Sequence, residues 1–143
     1  MENQIFENYK SILDDVKSTC LKANKDPENI NIIAVCKRQP LFKVEKSIKV
    51  GIKDFGENRI QDAKKRWTKK KLEKIKLRFL GPLQTNKSED AVNLFDEVQS
   101  LDRLKLAKSL RKSGPVSSAT AQLHGLSALA PNLPGCTGWK RTA

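Results

Sequence analysis

Apolar positions along the first part of the chain switch between helical spacing and short continuous runs. Apolar residues recur at roughly helical spacing across 2–23, which predicts an amphipathic helix. The run at 30–36 is short, continuous and rich in Ile and Val, as is typical of a buried strand of a parallel sheet. A short strand ending at 54–56 and apolar runs at 75–80 and 97–99 complete the predicted strands.

A helical pattern follows each predicted strand, over 41–50, 58–72, 85–95 and 102–112. Gly51 stands where a C-terminal cap is expected, and Asp102 is a candidate N-cap. An initial helix followed by about four strand–helix units predicts an α/β protein with parallel strands.

Parallel β/α units build either an open doubly wound sheet or a barrel, with right-handed connections in both. The GxGxxG and GxxxxGK[ST] patterns, which mark nucleotide-binding forms of the open sheet, do not occur in the chain. In either architecture, ligands gather beyond the carboxyl ends of the strands. Four short segments therefore share one rim of the predicted sheet, namely 37–38, 56–58, 81–87 and 100–102.

The composition changes abruptly near residues 113–114. All 16 carboxylates lie at or before Asp102, and no Asp, Glu, Ile or Phe occurs from Pro115 onward. Ala, Ser, Gly, Pro, Thr and Leu dominate that stretch, which lacks a periodic apolar pattern. We therefore predict a folded domain over 1–113 and a low-complexity tail over 114–143 that is irregular, disordered or not native to the fold.

Charge and cysteine content narrow the function classes. The chain carries 28 Lys and Arg against 16 Asp and Glu, a net charge of +12. This excess is compatible with nucleic acid or an anionic ligand, and equally with solvated lysine-rich helix faces. Three cysteines without metal-binding spacing and a single histidine argue against a metal site. With free thiols, no signal-peptide pattern and no membrane-length apolar run, we expect a cytoplasmic protein without a membrane span.

Lys37 stands at the end of the first predicted strand. An amine at a strand exit can keep its stem in the apolar wall while its nitrogen faces a cleft. Apolar walls and neighbouring cations lower the pKa of an amine, and the neutral amine forms a Schiff base with an aldehyde. The alternative is that Lys37 merely ends the strand and pairs with Glu57 or another carboxylate nearby.

Four blocks of sequence, in order and with sensible gaps, carry a family resemblance. They are "IIAVCK" at 32–37, "FGENRIQDA" at 55–63, "LRFLGPLQTNK" at 77–87 and "VQSLDRLKLA" at 98–107. Together they resemble the pyridoxal phosphate (PLP) homeostasis protein family, the homologues of a protein co-transcribed with proline synthase, over about residues 1–113. The resemblance implies a TIM-barrel type fold like the N-terminal domain of alanine racemase, preceded by a helix.

The resemblance also implies a cofactor and its site. By position, Lys37 matches the lysine that holds PLP as a Schiff base. The other matched positions on the same rim form the implied cofactor-binding set, which is Asn58, Gly81, Gln84, Lys87 and Ser100. The implied role is to hold and deliver PLP, with PLP-dependent enzymes as recipients and without established catalytic turnover, so we expect neither catalytic residues nor a metal.

The chain departs from the family pattern in three ways. Cys36 replaces the usual serine before the lysine, which predicts a site sensitive to oxidation. Leu77-Arg78 stands where the family usually has Trp-His, and Gln99 where it often has His. A complete barrel of this type needs about 250 residues, so we predict an incomplete barrel of about four β/α units, truncated and impaired, with an unpaired sheet edge through which two copies would associate.

Two alternatives stay open at this point. The stretch "KKRWTKKKLEKIKLR" at 64–78 holds nine basic residues and Trp67, which would suit a nucleic-acid-binding module in which the indole stacks on a base. No RNP, KH or zinc-finger pattern accompanies it. The other alternative is a truncated product without activity.

Overall fold

The computed structural model describes residues 2–67, 74–114 and 120–123 of the 143-residue chain. The helices in these ranges are α1 (Glu2–Lys22), α2 (Leu41–Lys49), α3 (Ile60–Arg66), α4 (Ser88–Leu94) and α5 (Leu104–Ser113). The strands are β1 (Ala34–Val35), β2 (Asp54–Glu57), β3 (Lys76–Phe79), β4 (Glu97–Leu101) and β5 (Thr120–Leu123). Short 3-10 helices span Pro27–Asn29 and Thr85–Lys87.

The strands of the described ranges form one sheet in which every neighbouring pair is parallel and the order is β1-β2-β3-β4-β5. A doubly wound sheet reverses its strand order at a switch point, and the described strands show no such reversal. Consecutive parallel strands joined by helices are the arrangement of a (β/α) barrel. The predicted fold class, α/β of the TIM-barrel type, incomplete and preceded by a helix, is confirmed.

Strand β5 lies inside the stretch predicted to be an irregular tail, and it pairs in parallel with β4. The prediction gave no strand there, because a short parallel strand is specified by its neighbour more than by its own apolar pattern. Residues 115–119 and 124–143 lie outside the described residues, and the division at residue 113 stays a prediction.

Several predicted boundaries differ from the structure. Only two residues of the predicted strand at 30–36 pair with β2, because β1 has a neighbour on one side only among the described strands. The prediction that Asp102 caps the last helix is wrong, since α5 has Arg103 at its N-cap and no side-chain cap bond. The predicted helix at 58–72 is described from Ile60–Arg66, and residues 68–73 lie outside the described ranges.

The end of α2 follows the predicted glycine cap. Gly51 has φ of 100°, in the left-handed region where glycine is favoured. Its amide donates to the Ile48 carbonyl at 3.1 Å, and the Ile52 amide donates to the Ser47 carbonyl at 3.1 Å. This pair of bonds is the Schellman pattern, which satisfies the last helical carbonyls and turns the chain into β2.

Side chains on the sheet alternate between two faces. One face, here the helix face, carries Phe55, Leu77, Phe79 and Val98, which are buried in the apolar core. Phe55 and Phe79 reach the rings of Trp67 and Phe95, at the ends of α3 and α4, with centroids 5.1 Å and 5.0 Å apart. The opposite face, here the polar face, carries Val35, Asp54, Gly56, Arg78 and Glu97, placed together by the parallel registers.

Candidate functional site

Lys37 lies in a turn that follows β1. The Gln39 amide donates to the Cys36 carbonyl at 3.0 Å, which places Lys37 and Arg38 at the two central positions of the turn. Arg38 has φ of 57°. Lys37 is exposed, and the described residues make no hydrogen bond or ion pair with it.

The alternative in which Lys37 pairs with Glu57 is wrong. The Glu57 side chain is 1% exposed and accepts hydrogen bonds from the Arg66 guanidinium and, at 2.9 Å, from Trp67 Nε1. The second carboxylate oxygen of Glu57 is buried and has no hydrogen-bond partner among the described residues. Lys37 is thus left available at the rim, whereas Glu57 belongs to the packing between β2 and α3.

Cys36 sits beside Lys37 but faces the other way, into the apolar core under the helices. Burial, reinforced by the negative charge of Glu57 and opposed by Arg66, raises the pKa of the Cys36 thiol to about 12. A thiol that stays protonated in an apolar setting is a poor nucleophile. Burial and the raised pKa of Cys36 therefore weigh against the prediction that this residue makes the site sensitive to oxidation.

A cleft of about 640 Å³ opens at the carboxyl ends of β2, β3 and β4. Three of the predicted site residues, Asn58, Gln84 and Lys87, line it together. Arg59 and Arg103 add cationic side chains to the same walls. The rim segments thus converge as the sequence predicted, in a cleft whose lining favours an anionic ligand.

Gly81 shapes this cleft without lining it. A Cβ atom at this position would lie 2.2 Å from the backbone oxygen of Asn58 and 2.8 Å from its carbonyl carbon. The two rim loops therefore touch through their backbones, and the contact is possible only because residue 81 has no side chain. The Leu80 amide donates to the Glu57 carbonyl at 2.8 Å beside this contact.

Ser100 occupies an irregular part of β4, where the register with β5 shifts between Val98 and Leu101. Its hydroxyl oxygen is buried and has no hydrogen-bond partner among the described residues. Neither Ser100 nor Lys37 lines the 640 Å³ cleft. The structure therefore brings three predicted residues into one cleft, sets Gly81 against one of them, and leaves Lys37 and Ser100 outside its lining.

Arg103 was not among the predicted site residues, although it lies in the block "VQSLDRLKLA". Its guanidinium donates to the Leu83 carbonyl at 2.7 Å and to Asp102 Oδ1 at 2.5 Å. A longer bond of 3.4 Å reaches the Thr85 hydroxyl. Arg103, at the start of α5, thereby holds the loop that contains Gln84 in place.

A second unpredicted group is an ion-paired cluster on the polar face. Arg78 donates to Asp54 and, through Nε at 3.0 Å, to Glu97, whose other oxygen accepts from Gln99 at 3.0 Å. Burial lowers the pKa of Arg78, but its bonds with the two carboxylates outweigh burial, so the pKa rises overall. The arginine that replaces the family's histidine is thus matched by carboxylates on both neighbouring strands.

The basic stretch at 64–78 is partly used inside the protein. Lys64 pairs with Asp90 at 2.5 Å, Arg66 with Glu57, and Arg78 with two carboxylates. Trp67 is 3% exposed and bonded to Glu57, so its ring is closed to a stacking base. Within the described residues these contacts weigh against the nucleic-acid alternative; residues 68–73 lie outside them.

Two other classes of site are absent from the part of the chain that the structure describes. Side chains of His, Cys, Asp and Glu in that part form no cluster of three suited to a metal ion. None of its helices combines the length and the apolarity needed to cross a bilayer.

The chain is similar to curated proteins named pyridoxal phosphate homeostasis protein. The protein from Pseudomonas aeruginosa is 32% identical over 111 residues, which cover 78% of this chain and 48% of that protein. The protein from Escherichia coli K12 is 30% identical over 116 residues, covering 79% and 50%, and the Buchnera aphidicola protein is 37% identical over 111 residues, covering 77% and 48%. The chain thus spans about half the length of the curated relatives it matches. No protein-family model matches it.

Solved structures show the same similarity. PipY of Synechococcus elongatus with PLP bound has a TM-score of 0.60 and 27% identity, over 80% of this chain and 56% of PipY. PipY without PLP gives 0.62 and 28% over 87% and 58%. A Bifidobacterium adolescentis protein described as unknown shares the fold, with a TM-score of 0.73 and 20% identity over 85% of this chain and 55% of its own. The predicted resemblance is therefore confirmed, and the chain is similar to pyridoxal phosphate homeostasis proteins over about half of their length.

Proposed function

We propose that this chain is a cytoplasmic PLP-binding homeostasis protein that holds PLP on Lys37 and does not turn over a substrate. The observation that carries the proposal is the similarity to PipY, whose structure contains PLP, and to curated proteins named for PLP homeostasis. Lys37 supports it by its place at the carboxyl end of β1 without a competing carboxylate. Delivery to PLP-dependent enzymes is part of the same proposal.

The residues at the rim fit PLP in their chemistry. PLP combines an aldehyde with a phosphate dianion, so its site needs a primary amine and a cationic or hydrogen-bonding cradle. Lys37 provides the amine, and the cleft beside Asn58 and Gln84 provides cations and amides. The buried hydroxyl of Ser100, which lacks a partner among the described residues, is an available donor on the neighbouring strand.

Each residue has a distinct task in this proposal. When bound, PLP supplies an aldehyde carbon with which a primary amine condenses as water leaves. Lys37 contributes that amine, Asn58 and Gln84 orient the ring through their amide groups, and Lys87 attracts the phosphate. Gly81 keeps the loop of Gln84 close to Asn58.

The proposed site is built for retention. Its side chains are amines, amides and a hydroxyl, and the set contains neither a histidine nor a carboxylate placed to move a substrate proton. The ion-paired carboxylates Asp54 and Glu97 are occupied by Arg78. This composition supports a carrier role.

The test is covalent capture of PLP. We expect the protein to take up PLP, to become yellow and, after borohydride reduction, to carry the label on Lys37 in a peptide map. Lys37→Ala should lower the label at least tenfold, because no other amine takes its place at the end of β1. Lys49→Ala is the matched control, since Lys49 is exposed at the far end of α2 and should leave the label unchanged.

Equal labelling of wild type and Lys37→Ala would contradict the proposal. Retention of DNA or RNA with a steep salt dependence, and no PLP label, would favour the nucleic-acid alternative instead. A folded chain that binds neither would correspond to the inactive product.

Self-association through the sheet edge belongs to the same proposal. β5 is an outer strand of the described sheet, with a paired neighbour, β4, on one side only among the described strands. Unpaired strand edges invite pairing with another chain. We expect sedimentation to show a dimer; a single monomeric species at all concentrations would contradict this part of the proposal.

A further inference from the structure

The turn that contains Lys37 is bound by the side chain of a distant residue, Arg66. Arg66, the last residue of α3, donates from Nη1 to the Cys36 carbonyl at 3.1 Å and from Nη2 to the Gln39 carbonyl at 2.9 Å. These carbonyls are the two ends of the turn, so the guanidinium fork spans Lys37 and Arg38. The Cys36 carbonyl also accepts the Gln39 amide, which closes the turn at 3.0 Å.

Arg66 is itself held in place by the buried carboxylate of Glu57. The Glu57 carboxylate accepts a bond from Arg66 Nη1 and one from Trp67 Nε1 at 2.9 Å. Glu57 is the last residue of β2 and is 1% exposed, and the Trp67 side chain is buried as well. A continuous set of contacts therefore runs from the centre of the sheet, through the end of α3, to the turn after β1.

The turn needs such support because of Arg38. A φ of 57° is uncommon for a residue other than glycine or asparagine, and it persists where the surroundings over-determine the backbone. The fork from Arg66 binds the carbonyls on both sides of the left-handed residue. Without it, the chain at 37–38 is free to take a more ordinary turn that aims Lys37 differently.

We propose that Arg66, held by Glu57, is a positioning residue that fixes the turn 36–39 and thereby the direction of the Lys37 side chain toward PLP. This inference rests on the proposed function. Arg66 acts through the backbone of its neighbours and does not touch the ligand in this role.

The role requires the shape of arginine as well as its charge. A guanidinium presents several donors in a rigid fork, whereas a lysine amine is a single point at the end of a flexible stem. Arg66 stands in a stretch that otherwise uses lysine on this helix, at Lys64 and Lys65. Arg66→Lys therefore keeps the charge opposite Glu57 and removes the second anchor of the turn.

The first measurement is made without PLP. In Arg66→Lys, the Gln39 amide should exchange with deuterium about tenfold faster than in wild type, because the turn loses an anchoring bond at its end. Lys65→Arg is the matched control: it exchanges the same two residue types at an exposed position of the same helix, and Gln39 exchange should stay unchanged.

The second measurement uses the PLP-loaded proteins at equal Lys37 label. A cofactor held in one orientation gives visible circular dichroism, and this signal should fall about threefold or more in Arg66→Lys but not in Lys65→Arg. Glu57→Gln is a second variant, which keeps an amide oxygen for Trp67 and loses the charge that holds Arg66. It should shift both readouts in the same direction, by less.

The outcomes separate cleanly. If wild type is labelled on Lys37 while Arg66→Lys and Glu57→Gln match it in Gln39 exchange and circular dichroism, the positioning role alone is overturned. If wild type takes no label on Lys37, the proposed function fails and the positioning role fails with it. If Arg66→Lys does not fold, the two readouts in Glu57→Gln decide.

Discussion

The two faces of the sheet differ in what covers their side chains. On the helix face, Phe55 and Leu77 are fully buried against apolar partners. On the polar face, Arg78 is buried by two carboxylates, and Val35 remains half exposed. The helix face is apolar, as is usual for a sheet packed against helices. The polar face differs from the interior of a typical barrel, which is filled by branched apolar residues.

The two faces are expected to contribute differently to stability and to the geometry of the site. Burial of apolar area stabilises the fold roughly in proportion to that area. A buried ion pair contributes little net stability but is costly to break, and it fixes a defined arrangement of neighbouring strands. We therefore expect substitutions on the helix face to act on folding generally, and substitutions on the polar face and the rim to act through particular contacts.

The sharpest contrast compares two residues on neighbouring strands. Phe55→Ala should lower the free energy of unfolding by about 3–5 kcal/mol, because it leaves a cavity under the Trp67 ring. Val35→Ala, on the polar face, should change it by less than about 0.5 kcal/mol. Urea unfolding followed by circular dichroism measures both. Similar losses for the two variants would erase the distinction between the faces.

The ion cluster gives the next largest effect. Arg78→Leu should cost about 3 kcal/mol or more in urea unfolding, because Asp54 and Glu97 would lose the cation that lies between them. Adding Asp54→Asn and Glu97→Gln to the same protein should recover most of the loss. A triple variant as unstable as the single one would show that Arg78 acts by packing alone.

Disrupting the contact between the two rim loops should have an intermediate effect on the free energy of unfolding. Gly81→Ala places a methyl group 2.2 Å from the Asn58 oxygen, so one loop must shift, at a cost of about 1–3 kcal/mol in unfolding free energy. PLP uptake should fall at the same time, because Asn58 and Gln84 move apart. Gly114→Ala, which meets only a Val92 side chain, is the control and should leave uptake intact.

The effect that is smallest near neutral pH is the titration of Cys36. Since the pKa of Cys36 is raised from 9.0 to about 12, the unfolded chain loses this proton first as the pH rises above about 9. The stability that Cys36 contributes is full below that pH and is lost at about 1.4 kcal/mol per pH unit up to about pH 12. Cys36→Ser removes this titration, so the variant should lose stability less steeply than wild type between about pH 9 and 10.5. Parallel curves would contradict the raised pKa.

The sequence predicts the order of elements well and their ends less well. The alternation of apolar runs and helical spacing predicted the five α-helices and the first four strands of the described ranges, and Gly51 marked the end of α2 correctly. β1 is shorter than its apolar run, because strand length depends on a paired neighbour. β5 was not predicted for the same reason, because its extended conformation depends on pairing with β4 and its own sequence shows no strand pattern.

For the site, chain position predicted proximity but not partners. Asn58, Gln84 and Lys87 meet because each follows a parallel strand. The pairing of Glu57 with Arg66, and of Arg78 with Asp54 and Glu97, depends on sheet register and on the face each side chain takes. From the sequence alone, Arg66 and Arg78 belong to the basic stretch at 64–78. In the structure, both form ion pairs with carboxylates inside the protein.

The brevity of β1 has a consequence for how the sheet can grow. With two residues, β1 offers an incoming strand only a few backbone groups to bond, and the left-handed turn at Arg38 ends the extended conformation soon after. Natural sheets use short outer strands in this way to discourage fibril-like stacking of chains. The short strand that leads into the turn of Lys37 thus also makes this margin of the sheet a poor template for amyloid.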